Sequence, residues 1–281
     1  MIECEYLFFI RKKEEKMKLK KLFAVAIATV MSLSIVGCGE KADKDDLTYI
    51  KDNGKMVIGY TVMNPLNYTD ENGDFVGFET EFAKEVCKRL GVEAEFVEIN
   101  WDTKETELNS KNIDCIWNGM TITPERAENM SISTPYLENR QVLVVRAEDA
   151  EKFDASLEGA SVIAETGSAG EELMNTDKAF EKATCTPVAS QATALMDVAA
   201  GTSDVAVIDY VMAGGSVGEG TDYENLVIVD KDFASEEYGI AFRKGSNVTA
   251  EVNKTITEMM QDGSLIVIAD KYGLTNILIA K

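Results

Sequence analysis

The sequence predicts an α/β protein made of two halves of similar design. In the first half, apolar strands such as Val57–Tyr60 alternate with an amphipathic helix over Glu79–Leu90, which Gly91 ends. The alternation begins again after the Val-rich segment 141–145. Strands separated by helices are typical of parallel sheets covered by helices. Residues 47–281 are enough for one large or two small hydrophobic cores.

The remaining elements of the first half follow from local patterns. Asp70–Asp74 contains an Asn-Gly pair typical of a hairpin turn. Val92–Ile99 alternates apolar and acidic residues and predicts a strand with one wet face, and Ile113–Trp117 predicts a buried strand. Thr123 and the proline after it are signals for the start of a helix.

The second half repeats this design after a Gly/Ser turn. We expect the chain to cross between the halves at the Val-rich segments 141–145 and 226–229, and short crossings allow hinge motion. The predicted strands are Ala160–Ala164, Thr186–Ala189, Asp204–Asp209, Leu226–Val229 and Tyr238–Phe242. The predicted helices are one that starts at Glu171, then Gln191–Ala199, Val248–Asp262 and Leu265–Tyr272.

The N-terminus has the pattern of a targeting segment. Lysines precede the uncharged run Leu22–Val36, which is short for a membrane span but suits a secretory signal peptide over residues 1–37. Met17 begins a complete signal by itself, so we interpret residues 1–16 as an overextended start of translation.

The residues Ile35-Val36-Gly37-Cys38 resemble a bacterial lipobox. The resemblance implies cleavage before Cys38 and a lipid on its sulfur, which would anchor the protein to the membrane without spanning it. A plain signal peptide with an incidental cysteine is the alternative. Residues 38–46 are small and charged and predict a flexible, lipidated tether.

Charge and composition exclude several classes of function. The formal net charge is -21, which argues against nucleic acid and anionic membrane surfaces as partners. The chain has no histidine, which excludes Ser-His-Asp and Cys-His catalysis and histidine-based zinc sites. We expect no metal ion and no cofactor. We interpret Cys87, Cys115 and Cys185 as buried small hydrophobic residues and expect no disulfide, although one pair could be bridged.

The segment 111–136 suggests a site for a small carboxylate. Its strand ends at a turn that contains Gly119 and Thr121, and the next helix carries Arg126. Backbone groups, a hydroxyl and a fixed cation at one strand end suit an anion. The alternative is an ordinary strand, turn and helix with a surface arginine.

Several motifs in order resemble the solute-binding proteins of polar amino-acid ABC importers, bacterial extracellular family 3. The resemblance covers about residues 47–275 and implies a two-lobed, periplasmic-binding-protein-like type II fold. It implies that 47–141 and 227–281 form lobe 1, that 142–226 forms lobe 2, and that two hinge crossings join them. The matching segments are Gly77–Ala83, Ile113-Asp114, Gly119–Arg126, Ser133 with Pro135-Tyr136, Gly167-Ser168 with Glu171, Gly201 with Asp204 and Asp209, Tyr238–Ala241 and Asp262-Gly263.

In that family an amino acid is held between the lobes, and the resemblance assigns roles to its contacts. Arg126 and Thr121 match residues that bind the α-carboxylate, with the turn of Ser168 and Ala169 at a helix N-terminus. Asp209 matches the family aspartate that takes the α-ammonium group, beside the carbonyl of Gly119 and the Thr121 hydroxyl. The alternative for Asp209 is a helix cap.

The predicted side-chain pocket departs from the family pattern. Met63 stands where the family often has an aromatic residue, and Asn118 replaces a small residue beside the glycine of the turn. Trp101 is expected to wall the pocket, whereas Trp117 fits the core equally well. Glu165 is the acidic residue that could meet a cationic side chain, and a solvated loop carboxylate is the alternative.

These assignments predict the binding component of an ABC importer. It captures a polar α-amino acid outside the cell membrane, anchored through Cys38, and delivers it as a monomer to a permease and its ATPase without chemistry on the ligand. Neutral polar amino acids, cystine and basic amino acids remain open as ligands. Two alternatives are a cyclohexadienyl dehydratase-like enzyme on the same fold and a ligand-sensing co-receptor.

Overall fold

The computed structural model describes residues 45–279 of the chain. The predicted signal segment 1–37, Cys38 and the first part of the tether lie outside these residues. Within 45–279, no helix has both the length and the apolar character that a membrane crossing requires.

The first lobe is built on a five-stranded sheet. Strand β1 (Lys55–Tyr60) pairs in parallel with β4 (Glu93–Glu98) and β5 (Cys115–Ile116). Strand β13 (Ala241–Arg243) pairs antiparallel with β5 and with β6 (Met130–Ile132). A short hairpin joins β2 (Tyr68–Thr69) to β3 (Phe75–Val76). The helices of this lobe are α1 (Asp46–Asn53), α2 (Phe78–Leu90), α3 (Lys104–Asn109), α4 (Pro124–Asn129), α9 (Val248–Gln261) and α10 (Ser264–Lys271).

The second lobe is built on a six-stranded sheet. Its strands are β7 (Leu137–Arg146), β8 (Ser161–Glu165), β9 (Thr184–Val188), β10 (Val205–Asp209), β11 (Leu226–Val229) and β12 (Ser235–Tyr238). Its helices are α5 (Ala150–Ala155), α6 (Ala169–Thr176), α7 (Gln191–Ala200) and α8 (Tyr210–Ser216). The order is β11-β7-β10-β8-β9, and β12 pairs with β7. Strand β8 is parallel to both of its neighbours, whereas β7 is antiparallel to β10, β11 and β12.

The helix and strand signals in the sequence match local structure closely. Helix α2 buries Phe78, Phe82 and Val86, and its C-terminal residue is followed by Gly91 at φ 77°. A left-handed backbone of this kind favours glycine and satisfies the last carbonyls of the helix. Local pattern is therefore a sound guide where an element has both a buried face and a stop signal.

The crossings between the lobes differ from the expected ones. Residues 141–145 and 226–229 both pair within the second sheet, because β7 lies between β10 and β11. The chain crosses instead where the first half of β7 pairs with β12, from Leu137 opposite Tyr238 to Arg140 opposite Ser235. The predicted strand 238–242 is also divided, since its first residue belongs to β12 and its last two belong to β13.

The fold begins earlier than the sequence predicts. Asp45 caps helix α1 by accepting a hydrogen bond from the backbone N–H of Thr48 (2.9 Å). The side chain of Asp46 pairs with Arg243 Nε at 2.9 Å. The last two residues of the expected tether are therefore part of the first lobe, because helix capping and an ion pair fix them.

The three cysteines of the described chain are all free. Cys87 and Cys115 are buried in the hydrophobic core, as predicted, and burial raises the pKa of both thiols. Cys185 differs from the prediction because it is only partly buried, on the edge strand β9.

Candidate functional site

A buried carboxyl group on helix α2 holds the turn after β5 in place. Glu79, in the first turn of α2, has no exposed surface and accepts a hydrogen bond from the Gly119 N–H at 2.9 Å. The Tyr136 hydroxyl donates to the same carboxyl group. Burial raises the pKa of Glu79 to about 7, against the effect of these two donors. Gly119, whose N–H donates to Glu79, lines the cavity with φ 53°.

Arg126 is a buried cation without an ion pair among residues 45–279. Its helix starts at the cap Thr123, whose hydroxyl accepts the Arg126 N–H (3.2 Å). Arg126 is 8% exposed, and within the described residues its guanidinium donates to two carbonyls, that of Thr121 at 2.8 Å and that of Gly167 at 3.1 Å. Burial lowers its pKa. The surface-arginine alternative is therefore wrong, and donors remain for an anion.

The two lobes meet at the carbonyl of Gly167. Besides Arg126, Lys104 of the first lobe donates to this carbonyl at 3.0 Å, and also to the Trp101 carbonyl at 3.1 Å. Lys104 is buried, which lowers its pKa to about 8. Next to this carbonyl, Ser168 caps α6 by accepting the Glu171 N–H at 3.1 Å. These contacts hold the second-lobe turn against the first lobe.

Asp209 lies at the end of β10 among amide donors. Its carboxylate accepts hydrogen bonds from Asn139 Nδ2 (2.6 Å), Gln141 Nε2 (2.8 Å) and the side chain of Gln191. Burial nevertheless raises its pKa. The residue occupies the N-cap position of α8, but its side chain makes no cap hydrogen bond. The helix-cap alternative therefore does not describe this carboxylate.

A second carboxylate, that of Glu236 on β12, shares these donors. It accepts from Asn139 Nδ2 at 3.0 Å, from Gln141 Nε2 at 3.1 Å and from the Thr121 hydroxyl at 3.0 Å. Burial and the nearby Asp209 raise its pKa. Thr121 therefore contacts Glu236 through its hydroxyl group and Arg126 through its backbone carbonyl.

One small cavity between the lobes brings the predicted contacts together. Ten predicted ligand contacts line it, and Gln191 is its eleventh lining residue. Their role in binding a ligand remains a prediction. The ten are Arg126, Thr121, Asp209, Gly119, Ser168, Ala169, Trp101, Asn118, Met63 and Glu165.

The cavity wall also decides between alternatives for individual residues. Glu165 ends β8 and is 2% exposed, so it is not a solvated loop carboxylate. Trp117 is fully buried in the core, with its ring 4.9 Å from that of Phe82. The Asn118 amide donates to the carbonyl of Thr61 at 2.8 Å and so ties the first loop to the cavity.

Several polar residues of the site were missed by the sequence reasoning. Asn139 and Gln141 lie two residues apart on β7 and so share one face of the sheet, but they stand in the polar run Glu138–Gln141, so residue type alone does not separate them from the more exposed Glu138 and Arg140. Glu79 lies within Gly77–Ala83, a segment that resembles the family but whose local pattern indicates only the start of a helix. Gln191 and Glu236 have no distinctive local signal, because the sheet topology alone brings them to Asp209.

Comparisons with known proteins agree with this architecture. The sequence profile of the bacterial extracellular solute-binding proteins, family 3, matches residues 56–275. The chain is 31% identical to the L-cystine-binding protein TcyJ of Escherichia coli K12, over 91% of this chain and 97% of that protein. It is also 31% identical to the ABC transporter glutamine-binding protein GlnH of Bacillus subtilis, over 87% and 94% of the two chains.

Solved structures give the same result. A crystal structure of a mutant of ArgBP from T. maritima is similar, with a TM-score of 0.74 and 30% identity over 81% of this chain and 98% of that chain. An ancestral arginine-binding protein bound to glutamine has a TM-score of 0.72 and 33% identity, over 78% and 97%. Because the profile match covers most of its length, the chain belongs to the bacterial extracellular solute-binding proteins, family 3.

Proposed function

We propose that this protein is the solute-binding component of an ABC importer and that it binds a polar α-amino acid between its lobes. The observation that supports this most is the buried guanidinium of Arg126, which has no ion pair in the part of the chain that the structure describes and lines the same cavity as the buried carboxylate of Asp209. A buried cation without a counter-ion is costly unless a ligand supplies the anion.

The ligand's two charged groups fit these two ends of the cavity. Arg126 can present two further N–H donors side by side to an α-carboxylate. Asp209, with Glu236 beside it, provides acceptors for an α-ammonium group. A ligand that contacts both lobes stabilises the closed arrangement, in which Lys104 and Arg126 hold the Gly167 carbonyl.

The cellular context of the proposal follows from the N-terminal segment and the relatives. Secretion by the predicted signal and a lipid on Cys38 would hold the protein at the outer face of the cell membrane. There it would act as a monomer that passes its ligand to a permease with an ATPase. GlnH, one of the similar proteins, is described as part of an ABC transporter.

A thermal unfolding screen tests the proposed function. Ligand-stripped protein is measured with each of the twenty amino acids, cystine and ornithine. At 100 times its Kd, a true ligand stabilises the folded state by about 2.7 kcal/mol, which raises the midpoint measurably. Parallel incubation with arogenate and prephenate tests for dehydratase turnover. A flat screen would contradict the proposed function.

A further inference from the structure

Among the residues that line the cavity, Glu165 has a buried carboxyl group whose hydrogen bonds are incomplete. It is 2% exposed and lines the cavity, yet its Oε1 has no hydrogen-bond partner within residues 45–279. Buried polar atoms are almost always paired, because an unpaired one loses its hydration without compensation. The unpaired oxygen therefore marks a place where a ligand donor belongs.

The charged groups around Glu165 are already engaged elsewhere. Lys104 is held by two carbonyls, and Arg126 is held by those of Thr121 and Gly167. Neither cation forms an ion pair with Glu165 in the described chain. On the acidic side, Asp209 takes the amide donors of its own network and repels a charge on Glu165.

Charge counting in the cavity favours a cationic ligand. The charged residues that line the cavity are the carboxyl groups of Asp209 and Glu165 and one cation, Arg126. The nearby Glu236 and Lys104 add one charge of each sign, so the ionised site has one negative charge in excess. With a zwitterion whose side chain is neutral, the site can lose that excess only by taking up a proton. A side chain with a positive charge cancels it and supplies donors to the free oxygen of Glu165.

The protonation of Glu165 then depends on the ligand. Burial, first, and Asp209, second, raise its pKa to about 8, and Lys104 and the side chain of Gln191 oppose this only in part. Beside a neutral side chain, the carboxyl group therefore holds a proton at pH 7. Beside a cation it is ionised, because an opposite charge in contact lowers the pKa of a carboxyl group.

We propose, as an extension of the function above, that Glu165 receives the cationic end of a basic α-amino acid. As the pH rises, the preference of the site for that ligand over a neutral isostere then grows. Arginine and citrulline are a suitable pair, because they share the same shape and α-groups but differ in side-chain charge. The other titrating groups of the cavity meet the same α-groups in both complexes, and the variant Glu165→Gln separates their contribution to the pH dependence from that of Glu165.

The test is calorimetric titration of the purified protein with arginine and citrulline between pH 5.5 and 7.5. The ratio of the citrulline Kd to the arginine Kd is expected to rise about tenfold per pH unit, because the two complexes differ by one proton. In Glu165→Gln the ratio is expected to become independent of pH. Glu158→Gln, an exposed change on the same lobe paired with Lys182, is the control and should behave as the wild type.

Ornithine and glutamine extend the comparison to a shorter side chain. A ratio that stays flat with pH in the wild type, or tighter binding of the neutral member of both pairs, would overturn the assignment of Glu165 while leaving amino-acid binding intact. If no amino acid binds at any pH, the proposed function itself fails. A wild-type-like slope in Glu165→Gln would also overturn the assignment, since another group would then carry the proton.

Discussion

Replacement of Arg126 by methionine perturbs the site at one defined group. The guanidinium has five N–H donors and gives two of them to the carbonyls of Thr121 and Gly167. Three donors remain, enough for a bidentate contact with a ligand carboxylate. Hydrogen bonds to charged groups contribute about 1.5–3 kcal/mol each, so the loss of two corresponds to about 10²–10⁴ in Kd.

The stability of the ligand-free protein should change much less. Methionine is similar in length, and it removes a buried cation that has no ion pair with the residues in 45–279, which offsets the two lost carbonyl contacts. We expect a change in the free energy of unfolding below about 2 kcal/mol. Arg126→Lys keeps the charge but not the planar fork, so its Kd should fall between those of the wild type and Arg126→Met.

Calorimetric titration with the ligand from the screen, together with thermal unfolding, measures both quantities. Arg89→Ala is the control, because it removes a guanidinium of the first lobe that pairs with Glu85 and Asp262 outside the cavity. The reasoning is refuted if Arg126→Met binds within tenfold of the wild type, or if Arg89→Ala weakens binding as much.

Three further predictions concern other parts of the chain. Asp209→Asn should weaken binding at least about 100-fold, because an amide in place of the carboxylate faces amide donors and cannot pair with an α-ammonium group. Calorimetry measures this change. The control is Asp204→Asn, because the carboxylate of Asp204 pairs with Arg146 away from the cavity. The pKa of Glu79 is raised in the folded state from 4.5 to about 7. Between these pH values the folded state therefore binds more protons than the unfolded state. The free energy of unfolding should fall as the pH rises through this range, by up to about 3 kcal/mol. Denaturant titrations at pH 5 and pH 7 should show a smaller fall in Glu79→Gln, and an equal fall would contradict this assignment. Cys38→Ser should move the protein from the membrane fraction to the medium or periplasm, whereas retention in the membrane would argue against a lipid anchor.

Much of the fold could be predicted because its signals are local. Helix α2 combines a buried face with a glycine stop, and helix α4 has Thr123 and a proline at its start. The cavity residues at strand ends could also be predicted from the sequence, since Asp209 and Glu165 each end an apolar run. The type of residue at such a position indicates chemistry even where its partners are unknown.

The crossings and the polar network could not be predicted in the same way. Val-rich segments are typical of any buried strand, so 141–145 gave no sign that β7 lies in the middle of the second sheet. Asn139 and Gln141 reach Asp209 only because β7 and β10 are antiparallel neighbours. Glu165 stands before a Gly/Ser turn that is typical of a solvated loop, whereas in the structure Lys104 of the first lobe contacts this turn at the Gly167 carbonyl.

The measurement that tests the central claim most directly compares an amino acid with its own modified forms. The ligand found in the screen is titrated calorimetrically beside its α-carboxamide and its desamino analogue. If Arg126 holds the α-carboxylate and Asp209 holds the α-ammonium group, both analogues should bind at least about 100-fold more weakly than the parent. Equal affinity for either analogue would contradict the assignment of that end of the cavity, and equal affinity for both would contradict amino-acid recognition by this site.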